Sequence, residues 1–200
     1  MFIPHPKIDQ TITNPWQAER RSVSCLTQKS KKEEKMLIRR LELRDCDAIN
    51  TIYNYYISQT AITFDLVPWQ TDERERWFAQ FDTSSRYQAW VAEQDDKLVG
   101  FAYNTAFNPK QAYLISSEIT IYVAHDAGGQ GIGSQLMQTL LNSMRQQGLR
   151  RAYSLITLPN PASLALHRRY GFQQVGQLSD VGEKFGKLHS VAMLECDLTM

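Results

Sequence analysis

Between residues 121 and 134 the chain reads Ile-Tyr-Val-Ala-His-Asp-Ala-Gly-Gly-Gln-Gly-Ile-Gly-Ser. A β-branched run enters a glycine-rich turn. The chain leaves it through Ile132, Leu136, Met137, Leu140, Leu141 and Met144, which recur at helical spacing. A strand, a tight turn and an amphipathic helix in succession lay a helix back across a sheet, so this stretch constrains the fold more than any other. Glycine accepts positive φ and lets a ligand come close to the backbone. The unpaired N–H groups at the helix start converge on one point, where the helix dipole favours an anion. The turn is therefore predicted to cradle a pyrophosphate. A plain turn before a glycine-rich helix start is the alternative. A P-loop would end in Gly-Lys-Ser/Thr, but Gly133 is followed by Ser134-Gln135. A dinucleotide loop needs a different glycine spacing and an acid about 20 residues on. That region holds Arg150 and Arg151 instead.

Around this centre the pattern predicts an α+β fold. Leu37 to Leu41 reads as a first strand, and Asp45 to Ile57 as a helix with Ala48, Ile49, Ile52, Tyr53 and Tyr56 on one face. Thr71 is expected to cap a second helix bearing Trp77, Phe78 and Phe81. Tyr87 to Glu93 and Lys97 to Tyr103 flank Asp95-Asp96 as a hairpin. Leu114 to Val123 is the strand feeding the glycine turn, and Gly148 stops the helix after it. Then follow a strand at Arg151 to Leu158, a helix at Pro161 to Arg169, and strands near Phe172 to Leu178 and Lys187 to Asp197. The order is βααβββαβαββ, a mixed central sheet flanked by helices.

Residues 1 to 35 break from this pattern. They are polar, carry Pro4, Pro6 and Pro15, and end in the mixed-charge run Lys31-Lys32-Glu33-Glu34-Lys35. They are expected to form a flexible extension before a domain spanning 36 to 200. With 22 basic and 21 acidic residues the net charge is +1, so no nucleic-acid surface is expected. No apolar run approaches the roughly 20 residues that span a bilayer, so no membrane association is expected. Cys25, Cys46 and Cys196 are far apart and form no metal-ligand spacing, which predicts reduced thiols in a cytoplasmic protein and no metal.

The stretch 121 to 134 resembles the coenzyme A-binding motif of the GNAT N-acetyltransferases, in which a strand runs into Gln/Arg-x-x-Gly-x-Gly/Ala and a helix. Gly131-Ile132-Gly133 matches its end, and Gly128 stands where the family usually has Gln or Arg. A second block, Leu158-Pro159-Asn160 through Ser163, Leu166-His167 and Gly171-Phe172, stands at the family's distance beyond the cofactor helix. Its wording is similar to the phosphinothricin acetyltransferase branch. So are Glu118 before Tyr122-Val123, Ala112-Tyr113, Thr63-Phe64 and His189. The resemblance covers about residues 36 to 198. It implies acetyl-CoA as co-substrate, a small amino acid-like amine as acceptor, direct attack, and a homodimer. It also implies a cleft where strands 114 to 123 and 151 to 158 splay apart. Ile121, Tyr122 and Val123, the run Gly128, Gly129, Gln130, Gly131, Ile132, Gly133 and Ser134, and then Asn160 and Ser163 become the cofactor contacts. Phe64, Lys110, Tyr113 and His189 become acceptor contacts, with Lys110 holding the acceptor's anion.

Acetyl transfer needs a deprotonated amine, a polarised thioester carbonyl and a protonated leaving thiolate. Glu118 is the candidate base. An ordinary Glu titrates near 4.3 and an α-amine near 8, a mismatch of about 3.5 units or roughly 5 kcal/mol. Burial or a relay water must close that gap. His167 stands where many members of the family carry Tyr as general acid. It is expected to assist thiolate departure or to share the base role. A strand Glu that only positions the ammonium group and a His that only holds its helix are the plainer alternatives. His125 reads as an exposed loop residue, and Tyr53, Tyr56 and Trp90 as core. A catalytically impaired acyl-CoA-binding module and a peptide N-acetyltransferase remain open as rival functions.

Overall fold

The computed structural model describes residues 36–81 and 85–199. The expected extension over residues 1 to 35 lies outside the described residues. The strands are β1 (Met36–Arg40), β2 (Ala89–Gln94), β3 (Lys97–Ala106), β4 (Ser116–Val123), β5 (Arg151–Thr157), β6 (Gln173–Lys184) and β7 (Lys187–Asp197). The helices are α1 (Cys46–Gln59), α2 (Thr71–Phe78), α3 (Ile132–Gln146) and α4 (Pro161–Arg169). The βααβββαβαββ order is as expected. The strands form one sheet in the order β1-β2-β3-β4-β5-β7-β6.

Asp95 and Asp96 take positive φ, 48° and 62°, and close the β2–β3 hairpin. β3 lies near the middle of the sheet, and Val99, Gly100, Phe101 and Ala102 are buried in succession because both its faces are covered. Phe101 and Tyr103 meet Tyr122 and the α1–α2 side. Helix α3 packs on the opposite face with Leu136, Met137, Leu140, Leu141 and Met144 sealed from solvent. Each such side chain contributes about 2 kcal/mol of burial free energy, which makes α3 the main anchor of that face.

The α1–α2 interface holds a cation at its centre. Arg74 is 2% exposed. Its guanidinium carbon lies 4.2 Å from the ring centroid of Trp69, 4.6 Å from Trp77 and 5.0 Å from Tyr53. Its Nε donates to Asn50 Oδ1 at 2.8 Å. Burial pushes this guanidinium down from its ordinary value. Two local expectations shift. Thr71 does not cap α2; Gln70 does, with its N–H donating to Glu73 Oε2 at 2.8 Å. Thr71 is the first helical residue, and its hydroxyl donates to Asp47 Oδ1 at 2.8 Å. Strand β4 begins at Ser116 rather than Leu114, because residues Gln111–Ile115 close a 3₁₀ turn.

The feature that positions a site is the β4–β5 junction. It is the only parallel pairing described in the sheet, and its rungs are Ser116–Arg151, Ser117–Ala152 and Glu118–Tyr153. Beyond Glu118 the two strands have no mutual pairing. β4 runs on to Val123 bonded only to β3, and β5 runs on to Thr157 bonded only to β7. Their facing edges are left open.

Candidate active site

A cavity of about 760 Å³ fills the gap between the diverging strands. Its far wall is the start of α3. Gly131 precedes that helix with φ of 80°, a conformation that a side-chain-bearing residue adopts only with strain. No side chain caps this helix end, so the N–H groups of Ile132, Gly133 and Ser134 are free for a ligand. A Cβ added at Gly128, Gly129 or Gly131 would meet nothing within 4 Å, so the space in front of the turn is open. The open β4 edge and this helix end together fit the phosphate and amide groups of a coenzyme A chain: an anion at the dipole, a peptide-like arm beside the strand.

Ile121, Tyr122 and Val123 line the cavity, as do Gly128, Gly129, Gly131, Ile132, Gly133 and Ser134. Gln130 does not; it lines a shallow depression with Lys97 and Asp126. Asn160 and Ser163 are on the wall, and Asn160 also has a local duty. Its Oδ1 accepts from Ser163 N at 3.1 Å and caps α4.

Glu118 lies at the apex, on the last rung before the strands part. Its carboxyl has left bulk water, and desolvation raises its pKa above the ordinary carboxylate value of 4.5. That shift narrows the mismatch with an amine. His167, on α4, is 4% exposed and also lines the cavity. Its Nδ1 lies 2.8 Å from the Ser163 carbonyl oxygen and 3.3 Å from Ser163 Oγ. A carbonyl only accepts, so Nδ1 carries the proton and the neutral ring presents a bare lone pair at Nε2. Nε2 is buried without a hydrogen-bond partner in the chain. Burial lowers the imidazole below its usual 6.5, against a smaller opposing effect of the Ser163 carbonyl.

The acceptor contacts expected from sequence are brought together only in part. Phe64 is on the wall. Lys110 and Tyr113 are not: both are exposed, Tyr113 packs on Phe107, and the 3₁₀ turn that replaces the first part of the expected strand carries them to the surface. His189 is behind the wall, 6.2 Å ring to ring from Phe64 and 3.2 Å from the Lys184 carbonyl oxygen. Lys110→Ala is therefore expected to change the acceptor KM by no more than about twofold, the usual reach of an exposed substitution. Steady-state kinetics on any turned-over amine checks this; a tenfold rise in KM would place Lys110 on the acceptor.

Sequence reasoning passed over other wall residues. Tyr53 and Tyr56, read as core, line the cavity. Tyr53 Oη lies 2.9 Å from Thr63 Oγ1 and donates to Asp65 Oδ2 at 2.8 Å, and burial pushes its pKa up. Tyr56 donates to the Val123 carbonyl at 2.6 Å, just before the glycine turn. His125, though exposed, lines the mouth and stacks on Tyr55 at 4.0 Å. Lys184 gave no sequence signal at all. It is 3% exposed, and its Nζ donates to the carbonyls of Thr63 and Asp65 at 2.8 Å each. It thereby ties the β6–β7 end to the loop that carries Phe64. Buried away from any carboxylate contact given for it, it has its pKa lowered by desolvation.

Residues 49–172 match the model of the acetyltransferase (GNAT) family. A phosphinothricin N-acetyltransferase of Streptomyces coelicolor is 39% identical over 76% of this chain and 90% of its own length. An L-methionine sulfoximine/L-methionine sulfone acetyltransferase of Pseudomonas aeruginosa is 33% identical over 80% of this chain and 94% of its own. Among solved structures, a GNAT superfamily phosphinothricin acetyltransferase from Sinorhizobium meliloti, in complex with acetyl-CoA, superposes with a TM-score of 0.77 at 28% identity, covering 81% of this chain and 88% of that one.

Proposed function

The chain belongs to the GNAT acetyltransferase family, and from that premise we propose that it transfers the acetyl group of acetyl-CoA to the primary amine of a small amino acid-like molecule. The observation that carries this reading is the position of Glu118, at the point where the open β4 edge begins and in the same cavity as the α3 N-terminus. Bound acetyl-CoA supplies a thioester carbonyl for attack. The open edge of Ile121, Tyr122 and Val123 and the N–H groups from Gly131 to Ser134 hold and orient it. Glu118 accepts one proton from the incoming ammonium group. His167, neutral and bare at Nε2, takes the second amine proton as the C–N bond forms and returns it to the departing sulfur. No acyl-enzyme is required.

Thiol release from acetyl-CoA against a panel of free amino acids, with the mass of the acetylated product, tests the reading. Turnover of N-terminal peptides with no turnover of free amines would move the assignment to peptide acetylation. We place the catalytic unit at 36–200 and its working site in the cytoplasm. The unit pairs as a homodimer through the β6 side of the sheet, where Val175, Val181, Phe185 and Leu188 are exposed. A truncated 36–200 chain is expected to keep the melting temperature and acetyl-CoA affinity of the full chain and to run as a dimer in light scattering. A large loss of either property would show that residues 1 to 35 pack on the domain.

A further inference from the structure

The acceptor end of the cavity has its own composition. Phe64 faces strand β6, and its ring sits so close that a Cβ on Gly182 would lie 2.3 Å from Phe64 Cε2. Glycine is required at 182 for that approach. Lys184, two residues on, holds the carbonyls on either side of Phe64, those of Thr63 and Asp65. The aromatic ring is thus fixed in the wall from two directions. Leu178, Val181 and Val191 continue the same wall. The one carboxylate among the described lining residues is Glu118, and the nearest buried ammonium, Lys184, has its protons engaged by the two carbonyls.

We propose that this wall is a side-chain selector, so that the enzyme takes amino acid-like acceptors whose side chains are uncharged and rejects anionic ones. The inference rests on the acetyltransferase reading above and narrows its substrate class. A neutral side chain gains by packing on Phe64, Leu178 and Val181. An anionic one loses water, meets hydrocarbon, and shares the cavity with the Glu118 carboxylate. Discrimination through an unpaired buried charge is large, whereas a hydrophobic pocket separates similar apolar groups only weakly.

Methionine sulfone and phosphinothricin test this cleanly. Both carry a methyl group and two oxygens on a tetrahedral second-row atom at the same place in the chain. They differ by one negative charge on the phosphinate. With the full chain, acetyl-CoA and thiol release as readout, kcat/KM for methionine sulfone is expected to exceed that for phosphinothricin by about 100-fold or more. A ratio below ten overturns the selector. Val181 is 53% exposed, so Val181→Arg leaves the core intact. It is expected to shift the ratio toward phosphinothricin by at least about tenfold, and no shift overturns the assignment of this wall. Calorimetric titration of the two compounds into the enzyme with CoA should show the same ordering in affinity. Absence of turnover with every free amine sinks the selector together with the acetyltransferase reading; comparable turnover of the pair sinks the selector alone.

Discussion

Replacement of Glu118 by Gln is expected to lower kcat by about 10²- to 10⁴-fold, the range for loss of a positioned base. Acetyl-CoA affinity should stay within a few fold, because the α3 N-terminus and the β4 edge supply the cradle through backbone groups. The same substitution is expected to raise the melting temperature at neutral pH. The sign follows from the direction of the shift. Burial raises the folded-state pKa of Glu118 above that of the unfolded chain. Its protonated form therefore supports the fold below about pH 4.5. That support is lost as pH rises through the folded value. At pH 7 the ionised carboxylate strains the fold, and Gln removes the charge while keeping the shape. Loss of turnover together with a gain in stability marks a group retained for chemistry. The rate against pH should also lose its acidic limb. Wild-type kcat in Glu118→Gln, with an unchanged pH profile, would show that the carboxylate moves no proton.

His167→Asn is expected to cost about 100-fold or more in kcat. An amide nitrogen can still donate to the Ser163 carbonyl, so the helix end is preserved while the lone pair at Nε2 is lost. A second readout separates a proton carrier from a structural residue. The folded imidazole titrates below its ordinary 6.5. The unfolded chain therefore takes up the proton first as pH falls. The stability contribution of neutral His167 is present above pH 6.5 and is lost as pH drops through the folded value. Chemical unfolding of the wild type at pH 7 and pH 5 should show this loss, and His167→Asn should show a smaller one. Unaltered kcat in the variant would return His167 to a purely structural role.

The cofactor half of the site was legible in the sequence because backbone chemistry writes itself in residue types. The turn that frees helix N–H groups needs glycine at Gly129 and Gly131, and the helix beyond it needs an apolar stripe. Asn160 before Pro161 announced the start of α4 in the same way. The acceptor half was less legible. Its wall is assembled from α1, the loop after it, and β6, which are distant in sequence, and no local period joins Phe64 to Gly182. Lys184 and Arg74 escaped notice for a further reason. Pattern reading assigns charged residues to solvent, and both are buried by partners that only the fold brings near: two carbonyls for Lys184, three aromatic rings and Asn50 for Arg74. Lys110 shows the converse error. The apolar run Leu114-Ile115 looked like strand, and the 3₁₀ turn it forms instead turned an expected pocket cation outward.

The parting of β4 from β5 makes the sheet incomplete as folded. From Ile119 to Val123 the strand keeps one edge without a neighbour, in a protein whose other interior strands are flanked on both sides. A ligand that lies along that edge is a missing rung of the architecture as well as a reactant. Its concentration then enters the folding equilibrium, adding about 2.7 kcal/mol of stability at 100 times its dissociation constant. The lifetime of the chain in a cell is thereby coupled to the supply of acyl donor. When the donor is scarce, the protein is easier to open and to degrade; when it is plentiful, the metabolite itself preserves the catalyst that consumes it.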